Sequence, residues 1–230
     1  MISVLLALVA LASSQGDGDR EARTVEFGRS VEGRVLRAER VGPGDADRSV
    51  LVIGSIHGDE TEGHEIVERL RGEGIEGAAI WLAETVNPDG VVNGTRSNAN
   101  GVDLNRNFSA DWQPIADTSS GYYPGPRPRS EPETRALEGL TKRLEPDVVI
   151  TYHQPWDQVL GPCDGPDRLQ RRYALLTDTE FACRGGDLPG TATKWLRQTG
   201  ARAFVVELGA GELSDEDAAL HARAVTRLAR

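Results

Sequence analysis

The sequence predicts an α/β fold, a mixed and mostly parallel twisted sheet flanked by helices on both faces. Three observations carry that expectation. Continuous apolar runs at 50–56, 147–152 and 203–206 read as buried strands. Segments 61–70, 130–144 and 214–228 carry helical spacing and end signals. Strands and helices alternate along the chain, which calls for crossover connections and a sheet covered on both sides.

The elements follow in chain order. Residues 2–12 form a short uncharged apolar stretch followed by Ser13-Ser14-Gln15-Gly16, with Ala10 and Ala12 at cleavage-compatible positions. It reads as a secretory signal peptide over 1–12, although the usual basic residue before the apolar stretch is missing. Residues 13–24 read as a flexible tether, and 25–230 as a single catalytic domain. Alternation broken by glycine at 31–41 suggests an edge strand or hairpin. Strand 50–56 runs into His57-Gly58-Asp59-Glu60, and a helix follows over 61–70. Another apolar strand at 78–86 ends at the Asn87-Pro88-Asp89-Gly90 turn. Residues 88–130 are long, glycine-rich and irregular, a pattern that in a compact domain usually serves function. The helix at 130–144 has Ser130 as a cap, Glu133 to complete a capping box and Pro132 in its first turn. Leu137, Leu140 and Leu144 give it one apolar face, and Glu145-Pro146 stops it. Ser214 opens the last helix, with Asp215, Glu216 and Asp217 complementing its N-terminal dipole.

Composition narrows the function. With 230 residues and 38% apolar content, the chain can bury a full core. A formal net charge of −10 argues against a nucleic-acid or anionic-membrane binder, either of which needs a basic face. After residue 12 no apolar run is long enough for a transmembrane helix, so no stable membrane insertion is expected. Nothing in the sequence fixes an oligomeric state, and a monomer is the working expectation. Cys163 and Cys183 are the only cysteines, and an even pair in an exported chain favours a disulfide. They are a poor zinc site, having no Cys-x-x-Cys spacing.

The chemistry centres on His57 and Glu60. A His and a Glu three apart at a strand-to-helix corner can aim an imidazole and a carboxylate at one point, as a divalent metal requires. Alone the pairing is common. Its weight comes from its company: His153 ends the second strand, and Glu207 ends the third. Between them lie Asn87-Pro88-Asp89-Gly90, Arg96 and Gly101-Val102-Asp103-Leu104-Asn105-Arg106-Asn107-Phe108. Tyr123-Pro124-Gly125-Pro126 and Ser130-Glu131-Pro132-Glu133-Thr134 follow. Strand ends of open α/β sheets are where ligand-binding residues converge.

This ordered set resembles the zinc carboxypeptidase (funnelin) family, from about residue 26 to about residue 213. The resemblance implies one zinc ion per chain, held by His57, Glu60 and His153 with a fourth position open. It implies Glu207 as the acid that takes a proton from water and passes it to the leaving amine. Arg96 matches the family's oxyanion-stabilising arginine, and Asn105 and Arg106 the pair that clamps a substrate's free carboxylate. Asp103 resembles the buried acid that orients a ligand imidazole, that of His57. His64 and His221 are read as solvated or core-edge residues.

The chain also departs from the digestive type of carboxypeptidase. The stretch 184–195 lacks the mobile loop tyrosine, and Tyr173 is too far upstream to supply it. The short body and the Pro189-Gly190-Thr191 segment resemble the bacterial murein peptide amidase branch. That branch cleaves between γ-D-glutamate and diaminopimelate in cell-wall peptides. Lys194, Arg197 and Arg202 are candidate extra partners for diaminopimelate carboxylates, against a reading as solvated helix charges. The function expected is therefore zinc-dependent hydrolysis of an amide next to a residue with a free carboxylate, in a secreted, periplasmic or cell-envelope setting. The alternatives are a general metallocarboxypeptidase, a zinc N-acyl-amino-acid deacylase of the aspartoacylase or succinylglutamate desuccinylase type, and an inactive carboxylate-binding module.

Overall fold

The computed structural model describes residues 23–161, 168–183 and 188–230. Four parallel strands form the centre of its sheet: β4 (Ala79–Ala83), β3 (Ser49–Ile53), β5 (Val148–His153) and β8 (Arg202–Glu207). Their residues are almost all buried, as the apolar runs require of strands covered on both faces. A hairpin of β1 (Arg23–Arg29) and β2 (Val35–Val41) extends the sheet past β4, with antiparallel pairing. On the other side β6 (Gln158–Gly161) runs antiparallel to β8, and β7 (Glu180–Cys183) runs parallel to β6. The strand order is β1-β2-β4-β3-β5-β8-β6-β7.

Helices cover both faces. On one side α1 (Gly63–Arg71), α4 (Leu169–Thr177) and α6 (Asp215–Ala229) pack over Val50, Val52, Ile150, Phe204 and Val206. On the other, α3 (Pro132–Leu144) and α5 (Ala192–Gln198) pack over Leu51, Ile53, Val149 and Ala203. Alternate residues of each central strand thus feed the two cores, each large apolar side chain contributing roughly 1.5–3 kcal/mol of burial.

Several elements start elsewhere than expected. Ser130 is not the cap of α3: the cap position is Glu131, which makes no side-chain cap bond. Ser130 Oγ instead donates to Glu131 Oε1 at 2.7 Å and accepts from Asn107 Nδ2 at 2.8 Å. Glu133 does not close a capping box either; it turns inward to accept from Val31 N at 2.8 Å and Asn98 Nδ2 at 3.1 Å. Long-range partners outcompeted the local motif. Ser214 does cap α6, accepting from Asp217 N at 3.1 Å. The glycine-broken 31–41 segment contains the hairpin turn and all of β2. Arg202 opens a strand rather than lying on a helix.

No helix among the described residues is long and apolar enough to cross a membrane. The leader expected at 1–12, nearly all of the tether and Cys163 lie outside the described residues.

Candidate active site

The site forms where β3, β5 and β8 end together at one edge of the sheet. The chain leaves β3 through Gly54, whose N–H donates to Ala83 O at 2.9 Å, and turns through His57–Glu60 before α1 begins. Gly58 is required there by space alone. A Cβ at that position would lie 1.9 Å from the Gly90 carbonyl carbon. That turn is pressed against α2 (Pro88–Asn93), whose cap Asn87 accepts from Gly90 N at 3.0 Å and donates to Arg96 O at 3.2 Å. The Asn-Pro-Asp-Gly motif therefore fixes the backbone that carries Arg96.

Sheet register supplies the other half. His153 and Glu207 are paired partners at the ends of β5 and β8. His57, Glu60 and His153 converge so that one donor atom from each lies within 4.8 Å of the others. The Nδ1 atoms of the two imidazoles are 3.2 Å apart, and each is 2.8 Å from Glu60 Oε2. Tetrahedral zinc with Zn–N bonds of 2.0–2.1 Å separates two nitrogens by about 3.3 Å, so the donor set fits that ion.

Charge around the triad is tightly arranged. His57 Nε2 lies 3.1 Å from Asp103 Oδ1, which fixes the ring and directs Nδ1 to the shared point. Asp103 is fully buried and also accepts from Asn105 N at 2.8 Å and from Arg96 Nε and Nη2 at 3.1 and 3.0 Å. Burial opposes its charge, but the His57 hydrogen bond and the charges of His57, Arg96 and Arg106 outweigh it and hold the carboxyl down at about 2. Burial likewise opposes the Glu60 carboxylate, yet His153 and His57 hold it well below the usual range. For His57 burial is again outweighed, here by Asp103 and Glu60, and its pKa rises. His153 moves the other way, because burial dominates.

Arg96 is held in a fork on Asp103, leaving Nη1 facing the site, 3.0 Å from Glu60 Oε1. Asp103 also caps a single 3-10 turn, Leu104–Arg106. Asn105 on that turn accepts from Ala192 N at 2.9 Å, so it anchors the start of α5 as well as facing the pocket. Arg106 is 7% exposed and makes no ion pair among the described residues; its Nη1 donates to Asn105 O at 2.7 Å. Burial pushes its pKa down, a sign that the cation is short of compensating charge. Gly190, at φ +69°, closes this side, since a Cβ there would lie 2.0 Å from Arg106 O.

Glu207 faces the same cleft as a different kind of carboxylate. Its Oε2 is buried and has no protein partner among the described residues. Burial, with the Glu60 charge adding to it, pushes its pKa up to about 7. An acid at that value can both take and return a proton near neutrality.

The cleft is lined by His57, Glu60 and His153, by Arg96, Asn105 and Arg106, and by Glu207. It also brings in Tyr122, Gln154, Trp156 and Arg197, whose part was not read from the sequence except for Arg197 as one of three open options. Gln154 follows His153 directly and its side chain accepts from Glu62 N and donates to Gly209 O and Gly211 O. Its adjacency to His153 was the available signal. Lys194 instead pairs with Asp111 at 2.5 Å, and Arg202 is exposed. His64 sits at the core edge, its Nε2 2.9 Å from Ser55 Oγ. His221 is buried, with Nδ1 2.8 Å from the Tyr173 hydroxyl.

Sequence comparison is decisive for the family. Residues 11–172 match the zinc carboxypeptidase family. The chain belongs to that family. It is a zinc-dependent hydrolase, and the zinc fits the His57–Glu60–His153 set. Over 200 residues it is 30% identical to murein peptide amidase A of Escherichia coli K12, covering 80% of each protein. Carboxypeptidase SOL1 of Arabidopsis thaliana is 27% identical over 176 residues, 69% of this chain and 34% of that one. Among solved structures, murein-tripeptide amidase MpaA from Escherichia coli O157 superposes with a TM-score of 0.71 at 26% identity, covering 93% of this chain and 94% of the other. Carboxypeptidase A from Helicoverpa armigera shares the fold, with a TM-score of 0.75 at 19% identity over 91% of this chain and 68% of its own.

Proposed function

We propose that this protein is an amidase of cell-wall peptides, hydrolysing the bond between γ-D-glutamate and diaminopimelate. The observation that carries the hydrolytic part is a convergent His57–Glu60–His153 set facing Glu207, whose buried Oε2 has no protein partner among the described residues. The substrate rests on likeness to murein peptide amidase A along most of both chains.

Zinc, when bound, supplies a Lewis acid that readies water and the scissile carbonyl for reaction near neutral pH. The protein's residues do the rest. Glu207 takes a proton from the attacking water as its oxygen bonds to the carbonyl carbon. It returns that proton to the amide nitrogen as the C–N bond breaks, leaving a free amine and a carboxylic acid, which then gives up its own proton at neutral pH. Arg96, its plane set by Asp103, faces the negative charge that develops on the carbonyl oxygen. Arg106 and the Asn105 amide bind the free carboxylate beside the scissile bond. A buried guanidinium without an ion pair is stabilised by an arriving anion, so recognition and charge compensation coincide here.

We propose further that residues 1–12 direct export to the envelope or beyond, that 25–230 act as one catalytic domain, and that Cys163 and Cys183 are bridged. The even cysteine count in a chain read as exported supports the bridge.

The test is turnover of three substrates by the zinc-loaded protein: a γ-D-glutamyl-diaminopimelate peptide, an ordinary peptide with a free C-terminus, and an N-acyl amino acid. The account expects the first to be preferred. Preference for the second makes it a general carboxypeptidase, preference for the third a deacylase, and no turnover a binding module.

A further inference from the structure

One aromatic ring at the mouth of the site faces two cations. The Arg96 guanidinium carbon lies 5.0 Å from the centroid of the Tyr122 ring, and that of Arg106 lies 5.6 Å from it. Both distances are within the roughly 6 Å over which the negative face of an aromatic ring attracts a cation. Arg96 has two carboxylate partners, whereas Arg106 is buried without one among the described residues. The two like charges also disfavour each other, and Arg96 is one of the groups lowering the Arg106 pKa. The ring therefore adds to what Asp103 and the Asn105 carbonyl give the Arg106 cation, and both arginines lie within its reach.

The ring is held there by the same backbone that carries Arg106. Asp103 N donates to Tyr123 O at 2.8 Å, and Asn107 Nδ2 donates to Pro124 O at 2.8 Å. Those bonds bracket the Leu104–Arg106 turn and dock the 122–124 segment onto it. Tyr122 itself is 54% exposed, so its retention at this spot does not come from core packing.

We propose that Tyr122 is a positioning residue for the hydrolysis. Its ring face holds the Arg96 and Arg106 guanidinia side by side and turned to the pocket, ready for a carboxylate and a developing oxyanion. It acts through the arginines, and the ring rather than the hydroxyl is the working part. The role differs from that of a phenol donating to the reacting atoms, which the 184–195 stretch does not supply. This inference rests on Arg106 being the carboxylate clamp.

The experiment compares Tyr122→Leu, Tyr122→Phe and Arg106→Ala in the zinc-loaded full chain, on a γ-D-glutamyl-diaminopimelate peptide and on its analogue amidated at the carboxylate that Arg106 receives. Tyr122→Leu is expected to raise KM for the free carboxylate about ten-fold, the scale of losing two partly desolvated cation–π contacts. It should change KM for the amidated analogue far less, with zinc content and melting temperature as in the parent. Tyr122→Phe is expected to recover most of the lost affinity. An unchanged KM in Tyr122→Leu overturns the proposal, as does a Tyr122→Phe as impaired as Tyr122→Leu, or an equal loss on both substrates. Arg106→Ala separates the two layers. If it raises KM while Tyr122→Leu does not, only the positioning role fails; if it leaves KM unchanged, the clamp fails and this inference with it.

Discussion

Replacing Asp103 with Asn removes one negative charge while keeping the shape of a fully buried side chain. In the metal-free protein that carboxylate accepts from His57, Asn105 N and two nitrogens of Arg96. Its pKa falls from 3.8 to about 2, and a drop of that size corresponds to roughly 2 kcal/mol of native-state stability at neutral pH. The sign follows from the direction. A folded pKa below the unfolded one gives stability that is present above about pH 4 and is lost as pH falls through about 2. Asp103→Asn should therefore unfold more easily at pH 7 by roughly 2 kcal/mol, and its stability should change less than the parent's between pH 4 and 2. Losing the acid behind a ligand imidazole also weakens metal affinity, by about 10- to 100-fold. Chemical denaturation of the metal-free chain across pH, with competitive zinc titration of each protein, reads both effects. Parent-like zinc affinity together with parent-like stability at pH 7 would refute the reasoning that Asp103 holds His57 in place.

Other expectations concern groups nearer the reaction. Glu207→Gln should keep a full complement of zinc and lose turnover by at least 100-fold; normal activity removes Glu207 as the proton carrier. In the parent, kcat/KM should fall as pH drops through a single limb at or below about 7, because protonation silences Glu207 and a bound cation draws its pKa down from the metal-free value. A flat profile from pH 8 to 4 contradicts that. Arg106→Ala should raise KM for free-carboxylate substrates by roughly 10- to 100-fold, the range of one charge-assisted hydrogen bond or two, and equal KM values would dismiss the clamp. Thiol titration of the denatured, unreduced mature chain should find no free thiol; two reactive thiols would dismiss the Cys163–Cys183 bridge.

What could be read from the sequence followed the strength of local signals. The runs at 50–56, 147–152 and 203–206 needed no partner to be recognised, because strands covered on both faces are apolar at nearly every position. Their end residues His57, His153 and Glu207 came with them. β6 and β7 escaped notice, being four residues each and only partly buried, and so did the seven-residue α5. The start of α3 was misplaced because Glu133 has two alternatives, a local cap and distant partners at Val31 and Asn98, and only the folded chain shows which prevails. Tyr122 carries no motif of its own. Its place is set by hydrogen bonds between segments some twenty residues apart, which sequence spacing does not reveal. Asn105 was found for its pocket-facing role, but its second task, receiving Ala192 N, depends on a helix 87 positions away.

The central claim is that two histidines and a glutamate, gathered from the ends of β3 and β5, share one zinc ion opposite Glu207. Anomalous diffraction at the zinc edge, on crystals of the zinc-loaded protein, tests it most directly. The account predicts one full-occupancy peak within bonding distance of His57 Nδ1, His153 Nδ1 and a Glu60 oxygen, with Glu207 nearby but not bonded. A peak elsewhere, or none at those three side chains, contradicts it.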